Sequence, residues 1–371
     1  MSPEIFLQKL RSQGIDFFAG VPDSLLKGFI SSVEQNCKHV HHITANEGAA
    51  VALAAGYHLA TGKVPLVYLQ NSGLGNVVNP LTSLADKEVY SIPILLVIGW
   101  RGEPGVKDEP QHNKMGKITP ALLNLLQIPF IVIKKEDTEA WKMAVQEAIQ
   151  LCNDHHKPAA LLVEEGSFSN NELEVMPVYE MSSLEAISHF YLGLEMGDIV
   201  ICTTGKIGRV FYQINSVQQK IKSHFLNVGS MGHAISIATG VAMYQKRRVF
   251  VLDGDGSLLM HMGSLALTAS LNLPNLIYVV LNNGAHQSVG AQPTLGFFVD
   301  FCTIAKGCGF TSPFLIENSE IMQSWSDNLD QYDFVEIRIN TYMKEPLPRP
   351  EETPKQAKEN FMRDIGTLPK E

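Results

Sequence analysis

The residues whose types and spacing best suit chemistry are a Gly-Asp-Gly-Ser run at 254–257 and an Asn-Asn pair at 282–283. An apolar, strand-like stretch precedes each of them, at 248–252 and at 276–281. If a crossover helix makes these strands parallel neighbours, Asp255 and Asn283 lie at the carboxyl edge of the sheet, where ligands bind in open α/β folds. Carboxylate, amide and backbone carbonyl oxygens are hard ligands that suit Mg²⁺ or Ca²⁺.

The glycines and the hydroxyl of the same run indicate which ligand would bind together with such a metal. Gly254 and Gly256 let the backbone approach a diphosphate closely, with Ser257 beside them. Mg²⁺ usually completes its octahedron with phosphate oxygens and water. The alternative interpretation is a polar turn that caps a helix. The preceding strand and the spacing to the Asn pair favour a metal–diphosphate site.

A second candidate is Glu47, which begins an alanine-rich stretch that ends near residue 57. Either Thr44 or Asn46 is a natural N-cap for a helix here. Glu47 is the only charged side chain between His42 and His58. One interpretation is a first-turn acid favoured by the helix dipole. The other is a buried carboxylate with a raised pKa, able to share a proton with a ring nitrogen.

Bulk composition limits the class of protein. The 371 residues suggest two domains, and 45% hydrophobic with 18% charged residues is typical of globular proteins. A formal net charge of −9 argues against a nucleic-acid-binding surface. No signal peptide or membrane span is predicted. The five cysteines are scattered and form no Cys-x-x-Cys pair, which favours reduced thiols and a cytoplasmic location.

Apolar strand-like runs alternate with helical stretches along nearly the whole chain. This alternation predicts an α/β protein with doubly wound parallel sheets covered by helices on both faces. The predicted strands of the first half are 17–19, 64–69, 94–98, 130–133 and 160–163, and those of the second half are 199–202, 249–252, 277–281 and 335–339.

The two halves resemble each other at an offset of about 183–184 residues, which predicts a duplicated domain. Residues 64–73 match 248–256, for example, and the segment from Glu47 matches the segment from Met231. The predicted domains are 1–170 and 180–371, with the boundary in 167–184. A proline-rich tail from Pro346 is expected to end in a short helix at 356–365. A cofactor with two different ends could be held by two domains of one fold.

Together these features resemble the thiamine diphosphate-dependent decarboxylases, which pair a pyrimidine-binding domain with a diphosphate-binding domain of the same fold. The resemblance covers nearly the whole chain and leaves no room for the middle domain of many relatives. It points to the short members that act on anionic three-carbon keto acids. Within these, the phosphonopyruvate decarboxylases are most similar and the sulfopyruvate decarboxylases next. The segments that carry this similarity are 20–24, 99–105, 108–112, 229–234 and 282–294, with Ala291 where glycine is expected.

The resemblance implies thiamine diphosphate and Mg²⁺ as cofactors. Glu47 matches the glutamate that hydrogen-bonds pyrimidine N1′, and Met231 matches the residue that bends the cofactor. The metal ligands implied are Asp255, Asn283 and the carbonyl of Ala285. Strand alternation sends Asn282 and Asn283 to opposite faces, so either remains a possible ligand, and the match to relatives favours Asn283. The implied cofactor-binding residues are Glu47, Gly229, Ser230, Met231, Gly254, Asp255, Gly256, Ser257 and Asn283.

The implied reaction converts 3-phosphonopyruvate into phosphonoacetaldehyde and CO₂, as in phosphonate biosynthesis. A doubly charged head group needs cations, and Arg101 and Lys114 follow a strand end at the expected edge. His112 and His286 are candidates to relay the final proton. Arg101 and Lys114 are equally compatible with solvated loop charges. The resemblance also implies a homo-oligomer, at least a dimer, with the cofactor between subunits.

Three alternatives to this reaction remain open at this stage. Sulfopyruvate decarboxylation is the same chemistry on a different head group. A carboligase or acetolactate-type transferase would transfer the carbon unit to a second keto acid, and the missing middle domain weighs against it. A non-catalytic binding protein on the same scaffold is disfavoured because Glu47, Asp255 and Asn283 are all present.

Overall fold

The computed structural model describes residues 1–136, 139–169, 177–343 and 346–369. Its contacts divide the chain into two compact units, Met1–Glu174 with Ser288–Gln292, and Val175–Gln287 with Pro293–Glu371. The predicted boundary segment 167–184 includes residues 170–176, which lie outside the described residues. Each unit is built around its own six-stranded sheet.

The first unit is a parallel sheet in which the strand order is β2-β1-β3-β4-β6-β5. Its strands are β1 (Phe18–Gly20), β2 (His41–Ile43), β3 (Leu66–Gln70), β4 (Leu95–Gly99), β5 (Phe130–Ile133) and β6 (Ala159–Val163). Its helices are α1 (Pro3–Ser12), α2 (Lys27–Cys37), α3 (Glu47–Thr61), α4 (Leu74–Pro80), α5 (Pro110–Leu125) and α6 (Ala140–His155).

The second half of the chain forms a parallel sheet with the order β13-β14-β10-β9-β7-β8. Its six strands are β7 (Ile199–Cys202), β8 (His224–Leu226), β9 (Val249–Gly254), β10 (Leu276–Asn282), β13 (Pro313–Ile316) and β14 (Phe334–Arg338). The short strands β11 (Ala285–His286) and β12 (Gln292–Pro293) form a separate two-stranded sheet. The helices are α7 (Ser183–Gly193), α8 (Lys206–Gln218), α9 (Ala234–Ala242), α10 (Asp255–Met260), α11 (Ser264–Ser270), α12 (Phe301–Cys308), α13 (Ser319–Ser326) and α14 (Pro354–Asp364).

The two sheets have the same topology. Read from β8, the second sheet runs second, first, third, fourth, sixth, fifth along the chain, which is the order of the first sheet. Shared order in two sheets supports the predicted duplication. The α/β fold with two similar parallel-sheet domains is thus confirmed. Strand β13 and the short strands β2 and β8 are absent from the list of predicted strands because their apolar runs are brief.

Strand alternation explains why both faces of each sheet are covered by helices. In β3, Tyr68 packs into a cluster with α1, α2 and α6, whereas its neighbours Val67 and Leu69 pack into a cluster with α3, α4 and α5. Successive side chains of a strand point to opposite faces of the sheet, and here both faces are apolar. The second sheet is covered in the same way, by α7, α8 and α13 on one face and by helices including α9, α11 and α12 on the other.

Helix α3 begins where the sequence indicated. The side chain of Asn46, rather than that of Thr44, caps the helix by accepting a hydrogen bond from the amide of Ala49 at 2.9 Å. The predicted C-terminal helix is α14, which starts two residues earlier than expected behind a Thr353 capping box. Over the described residues, no helix combines the length and apolar character that a membrane crossing would need.

Candidate active site

Strands β9 and β10 are parallel neighbours, with Gly254 opposite Leu281 in the register. Asp255 and Asn283 therefore follow the ends of adjacent strands at one sheet edge. Asp255 is buried at the first residue of α10, and burial raises the pKa of its carboxyl to about 7. The hydroxyl of Thr294 and the backbone amide of Asn283 hydrogen-bond this carboxylate and act against that rise in pKa.

Asn282 anchors the loop that follows β10. Its Nδ2 donates to the carbonyl of Gly296 at 2.7 Å and to Oε1 of Glu336 at 2.8 Å, while its Oδ1 accepts from the amide of Gly284 at 3.1 Å. Both Asn282 and Glu336 are buried, and burial raises the pKa of Glu336. Both hydrogens of the Asn282 amide are therefore donated within the protein, and its oxygen accepts one bond.

Asn283 is half-buried, and among the described residues its side chain hydrogen-bonds only within its own loop. Its Oδ1 accepts from the amide of Ala285 at 3.0 Å, and its Nδ2 donates to Oε1 of Gln287 at 3.2 Å. The carbonyl of Ala285 accepts from the amide of Gln287 at 2.9 Å. Since a carbonyl oxygen has two lone pairs, the oxygens of Asn283 and Ala285 each retain capacity for one more partner.

The turn at 229–232 is held against α10. Ser230 has a φ of 51° and Gly232 a φ of 86°, so the backbone turns sharply on both sides of Met231. The amide of Gly232 donates to Oγ of Ser257 at 3.0 Å, and a Cβ on Gly232 would lie 2.5 Å from the ring of His261. Glycine is therefore required at position 232, next to the half-buried Met231.

Three of the predicted residues in this unit lie together. A Cβ added to Gly256 would lie 3.0 Å from Cε1 of His286 and 3.4 Å from Cε of Met231. Burial lowers the pKa of His286 to about 4, so its imidazole is neutral near pH 7. Gly256 thus lets the imidazole and the methionine methyl approach the backbone of the Gly-Asp-Gly run closely.

Glu47 lies in the other unit, as the first residue of α3, and is only 5% exposed. Burial raises the pKa of its carboxyl, although Nδ2 of Asn76 donates to Oε2 at 2.7 Å. A Cβ on Gly73 would lie 2.3 Å from Oε1, so that side of the carboxylate is open only because residue 73 is glycine. Of the two interpretations from sequence, the structure favours the buried carboxylate.

Arg101 is held by a carboxylate of its own loop. Its Nε donates to Oδ2 of Asp108 at 2.8 Å, its second guanidinium nitrogen contacts Oδ1, and a third bond reaches Oγ of Ser24 at 2.8 Å. Burial alone would raise the pKa of Asp108, but Arg101 and the amides of Glu109 and Gly102 hold it at about 2. The pair fixes the loop after β4.

The other predicted groups near Arg101 differ in their surroundings. His112, in the first turn of α5, is 9% exposed, and its Nδ1 has no hydrogen-bond partner among the described residues. Burial lowers its pKa, and the charge of Arg101 acts in the same direction. Lys114 is exposed on the same helix. His112 is thus a neutral, buried imidazole, whereas Lys114 faces solvent.

Several polar residues around these groups were given no role by the sequence analysis. Asp23, within the matched segment 20–24, is fully buried, and burial raises its pKa although Nε2 of Gln70 donates to it at 2.7 Å. Asp253 is also buried, with a raised pKa, and accepts from the hydroxyl of Tyr278 at 2.9 Å. Asp253 immediately precedes the Gly-Asp-Gly run, and the apolar strand around it was the only signal for its burial.

The oxygen groups beside Asp255 fit a hard cation. No lysine or arginine in the described ranges pairs with this buried carboxylate, and a buried charge without a counter-ion is strongly disfavoured. The described residues hold no group of three or more His, Cys, Asp or Glu side chains suited to a metal. A site here would therefore combine one carboxylate with amide and carbonyl oxygens, the donor set preferred by Mg²⁺.

Comparisons with known proteins identify one domain in each half of the chain. Residues 3–120 match the N-terminal TPP binding domain of the thiamine pyrophosphate enzymes, and residues 202–329 match their C-terminal TPP binding domain. A phosphonopyruvate decarboxylase of Streptomyces viridochromogenes is 33% identical over 97% of this chain and 94% of its own length. One of Streptomyces hygroscopicus is 34% identical over 84% of this chain and 80% of its own length. A sulfopyruvate decarboxylase of Methanosarcina acetivorans is 26% identical over 96% of this chain and 97% of its own length.

The two family matches lie one in each half of the chain and include Glu47 and Asp255, and the Streptomyces viridochromogenes relative matches 97% of the chain. The chain therefore belongs to the thiamine diphosphate-dependent decarboxylases, a family of carbon–carbon lyases.

Proposed function

We propose that this protein decarboxylates 3-phosphonopyruvate to phosphonoacetaldehyde and CO₂, with thiamine diphosphate and Mg²⁺ as cofactors. The observation that carries the proposal is the buried carboxylate of Glu47 at the start of α3. The choice of substrate is supported by the phosphonopyruvate decarboxylases, which are 33–34% identical over 84–97% of this chain, against 26% over 96% for the sulfopyruvate decarboxylase of Methanosarcina acetivorans. Subunits of other sulfopyruvate decarboxylases are 33–39% identical, but over only 30–43% of this chain.

Bound thiamine diphosphate supplies a nucleophilic carbon and an electron sink for the departing carboxylate. The role of Glu47 in this proposal is to hold a proton for the pyrimidine ring of the cofactor. Because burial raises its pKa, the carboxyl shares a proton more readily than an exposed glutamate would. Gly73 leaves the space beside Oε1, and Asn76 orients Oε2.

Met231 is proposed to position the cofactor rather than to react. The turn from Ser230 to Gly232 sets the backbone position of Met231, and Gly229 would offer a backbone carbonyl beside the same turn. Gly254, Gly256 and Ser257 would line the diphosphate, where the glycines admit close approach of phosphate oxygens.

The metal ligands in this proposal are Asp255, Asn283 and the carbonyl of Ala285. Asn282 is a weaker candidate because it is fully buried and donates both hydrogens of its amide within the protein, whereas Asn283 is half-buried. The oxygens of Asn283 and Ala285 each accept one hydrogen bond and have a second lone pair.

The head group would be bound by cations of the first unit. Arg101 keeps part of its guanidinium free of Asp108 and Ser24, since those bonds use three of its five N–H donors. Lys114 is exposed and adds a second positive charge. His112 and His286 are neutral near pH 7, so each would act as a proton relay and would not remain protonated.

The proposal includes a homo-oligomer, with the cofactor between the first unit of one subunit and the second unit of another. A mass measurement by light scattering on the purified protein tests this part. A monomeric protein that is fully active would contradict it.

Sulfopyruvate is the alternative substrate, because a sulfopyruvate decarboxylase matches the chain over nearly its full length. Carboligation is the second alternative and would consume a second keto acid. The test is a coupled aldehyde assay with phosphonopyruvate, sulfopyruvate and pyruvate offered in parallel to protein loaded with cofactor and Mg²⁺. Preference for phosphonopyruvate is expected. Preference for sulfopyruvate would change the substrate, and loss of keto acid without aldehyde would favour the carboligase.

A further inference from the structure

The side chain of Gln292 is fully buried, yet its amide is unpaired. Neither Nε2 nor Oε1 has a hydrogen-bond partner within the described part of the chain. Buried amides are almost always hydrogen-bonded, because a lost bond to water is not otherwise compensated. An unpaired donor and an unpaired acceptor on one side chain therefore point to a ligand that supplies both partners.

The backbone before Gln292 is held in an unusual conformation. Gly290 has a φ of 126° and Ala291 a φ of 58°, so two consecutive residues have positive φ angles. A Cβ on Gly290 would lie 2.7 Å from Nε2 of Gln292, so the amide rests where only glycine leaves room. Strained residues of this kind persist where the surrounding structure fixes a functional group.

Gln292 lies close in the chain to a group that contacts the candidate metal ligand. Gln292 and Pro293 form the two-residue strand β12. Thr294, two residues after Gln292, donates to the carboxylate of Asp255. The Cα atoms of residues 292 and 294 are at most about 7 Å apart. Gln292 is therefore only two residues away from a direct contact of the proposed metal ligand.

We infer that the carboxamide of Gln292 binds the head group of the substrate and selects a phosphonate over a sulfonate. This inference rests on the proposed function. Nε2 would donate to an oxyanion, which both head groups offer. Oε1 needs a donor, and a phosphonate supplies one through its P–OH group when it binds as the singly protonated form rather than as the doubly charged form. A sulfonate carries no proton near neutral pH and would leave Oε1 unpaired.

Selection by an unpaired group is an effective way to discriminate between similar ligands. A site that is built to hydrogen-bond a hydroxyl rejects the analogue that lacks it, because the buried polar group then remains without a partner. Charge alone separates the two head groups poorly, since Arg101 and Lys114 attract both. Gln292 would add a hydrogen-bond acceptor, which neither cation has.

The test measures binding rather than turnover. The probes are 3-phosphonopropionate and 3-sulfopropionate, which lack the keto group and are not decarboxylated, titrated calorimetrically into protein loaded with thiamine diphosphate and Mg²⁺. The wild type is expected to bind the phosphonate more tightly. Gln292→Met, which keeps the length but removes both polar atoms, is expected to reduce this preference by about 10-fold or more.

Thermal unfolding without ligand supplies a second readout. Because Met replaces an unpaired amide, Gln292→Met is expected to keep or raise the unfolding midpoint, whereas removal of a structural hydrogen bond would lower it. Gln323→Met, at an exposed position of α13, is the matched control and should alter neither quantity. Should Gln292→Met fail to fold, Gln292→Glu keeps the shape and should weaken binding of both anions.

An unchanged preference in Gln292→Met, or unchanged binding of both anions in Gln292→Glu, would overturn the inference. Failure of the proposed function is a separate result. It would appear as a wild type that decarboxylates neither acid, whatever Gln292 contributes to the binding of the two probes.

Discussion

The hydroxyl of Thr294 donates a hydrogen bond to the carboxylate of Asp255, which lies 39 residues earlier in the chain. Two residues further, Gly296 packs so closely that an added Cβ would lie 2.5 Å from Oδ2 of Asp255 and 2.4 Å from Oδ1 of Asn282. The segment 294–296 therefore closes over the ends of β9 and β10 and orients the carboxylate proposed to bind the metal.

Loss of the Thr294 hydroxyl is expected to weaken metal binding without removing a ligand. We expect Thr294→Val to lower the affinity for Mg²⁺ by about 10-fold, the lower end of the effects reported for groups that orient metal ligands. Thr294→Ser keeps the hydroxyl and should bind Mg²⁺ nearly as the wild type does. Titration of the protein with Mg²⁺ in the presence of thiamine diphosphate measures both. Equal affinities in the two variants would show that the hydrogen bond is irrelevant to the metal.

The two neighbouring asparagines are expected to fail in different ways. Asn282→Ala leaves Glu336 and the carbonyl of Gly296 without their amide donor in a buried position, and should lower the free energy of unfolding by about 2–3 kcal/mol. Asn283→Ala removes a proposed metal ligand and should mainly reduce Mg²⁺ affinity. Denaturant unfolding and Mg²⁺ titration of both variants distinguish these effects. If Asn282→Ala kept its stability but lost its affinity for Mg²⁺, Asn282 would be the metal ligand and the assignment of the two roles would be wrong.

The Arg101–Asp108 pair is expected to contribute strongly to stability. The side chains are 19% and 6% exposed, so Asp108→Ala would leave a largely buried guanidinium without its carboxylate. We expect the free energy of unfolding to fall by about 3 kcal/mol. Asp16→Ala breaks an exposed pair with Lys63 and serves as the control, with almost no change in the unfolding midpoint. Similar midpoints for the two variants would contradict the structural role of the pair.

The raised pKa of Glu47 predicts a stability that depends on pH. The folded protein holds this proton more tightly than the unfolded chain, so the resulting stability is fully present below about pH 4.5, the ordinary pKa, and is lost as the pH rises through the raised pKa. Without cofactor, Glu47→Gln should therefore gain stability relative to the wild type as the pH rises from 5 to 8. Thermal unfolding midpoints at a series of pH values measure the difference.

Glu185 provides the control of opposite sign. Its pKa is lowered by hydrogen bonds from the backbone and side chain of Ser182, so its stabilising effect is present above the ordinary pKa and is lost as the pH falls. Glu185→Gln should lose stability relative to the wild type at pH 8. A Glu47→Gln variant that followed the same trend as Glu185→Gln would show that Glu47 is not held in its protonated form.

The fold could be predicted from the sequence because its signals are local. Strands β5 and β7 begin and end where their apolar runs do, and the other predicted strands differ by one or two residues at their ends. The repeat offset also anticipated two sheets of one topology. Edge strands such as β8 are short and half-buried, so their sequences carry little periodicity.

The site was only partly predictable because its polar contacts join residues distant in sequence. Asp255 and Asn283 follow recognisable strands, but nothing near Thr294 indicates that its hydroxyl meets Asp255. Likewise, Glu336 is buried by the packing of β14 against β10, and no local pattern marks it as the partner of Asn282. The glycine expected at Ala291 does correspond to a left-handed backbone, with a φ of 58°.

The most direct measurement is the yield of CO₂ and phosphonoacetaldehyde from phosphonopyruvate by wild type and Glu47→Gln, both shown to retain thiamine diphosphate and Mg²⁺. We predict equal amounts of the two products from the wild type and a rate at least about 100-fold lower from Glu47→Gln. Wild-type rates from Glu47→Gln, or CO₂ released without the aldehyde, would contradict the proposed decarboxylase.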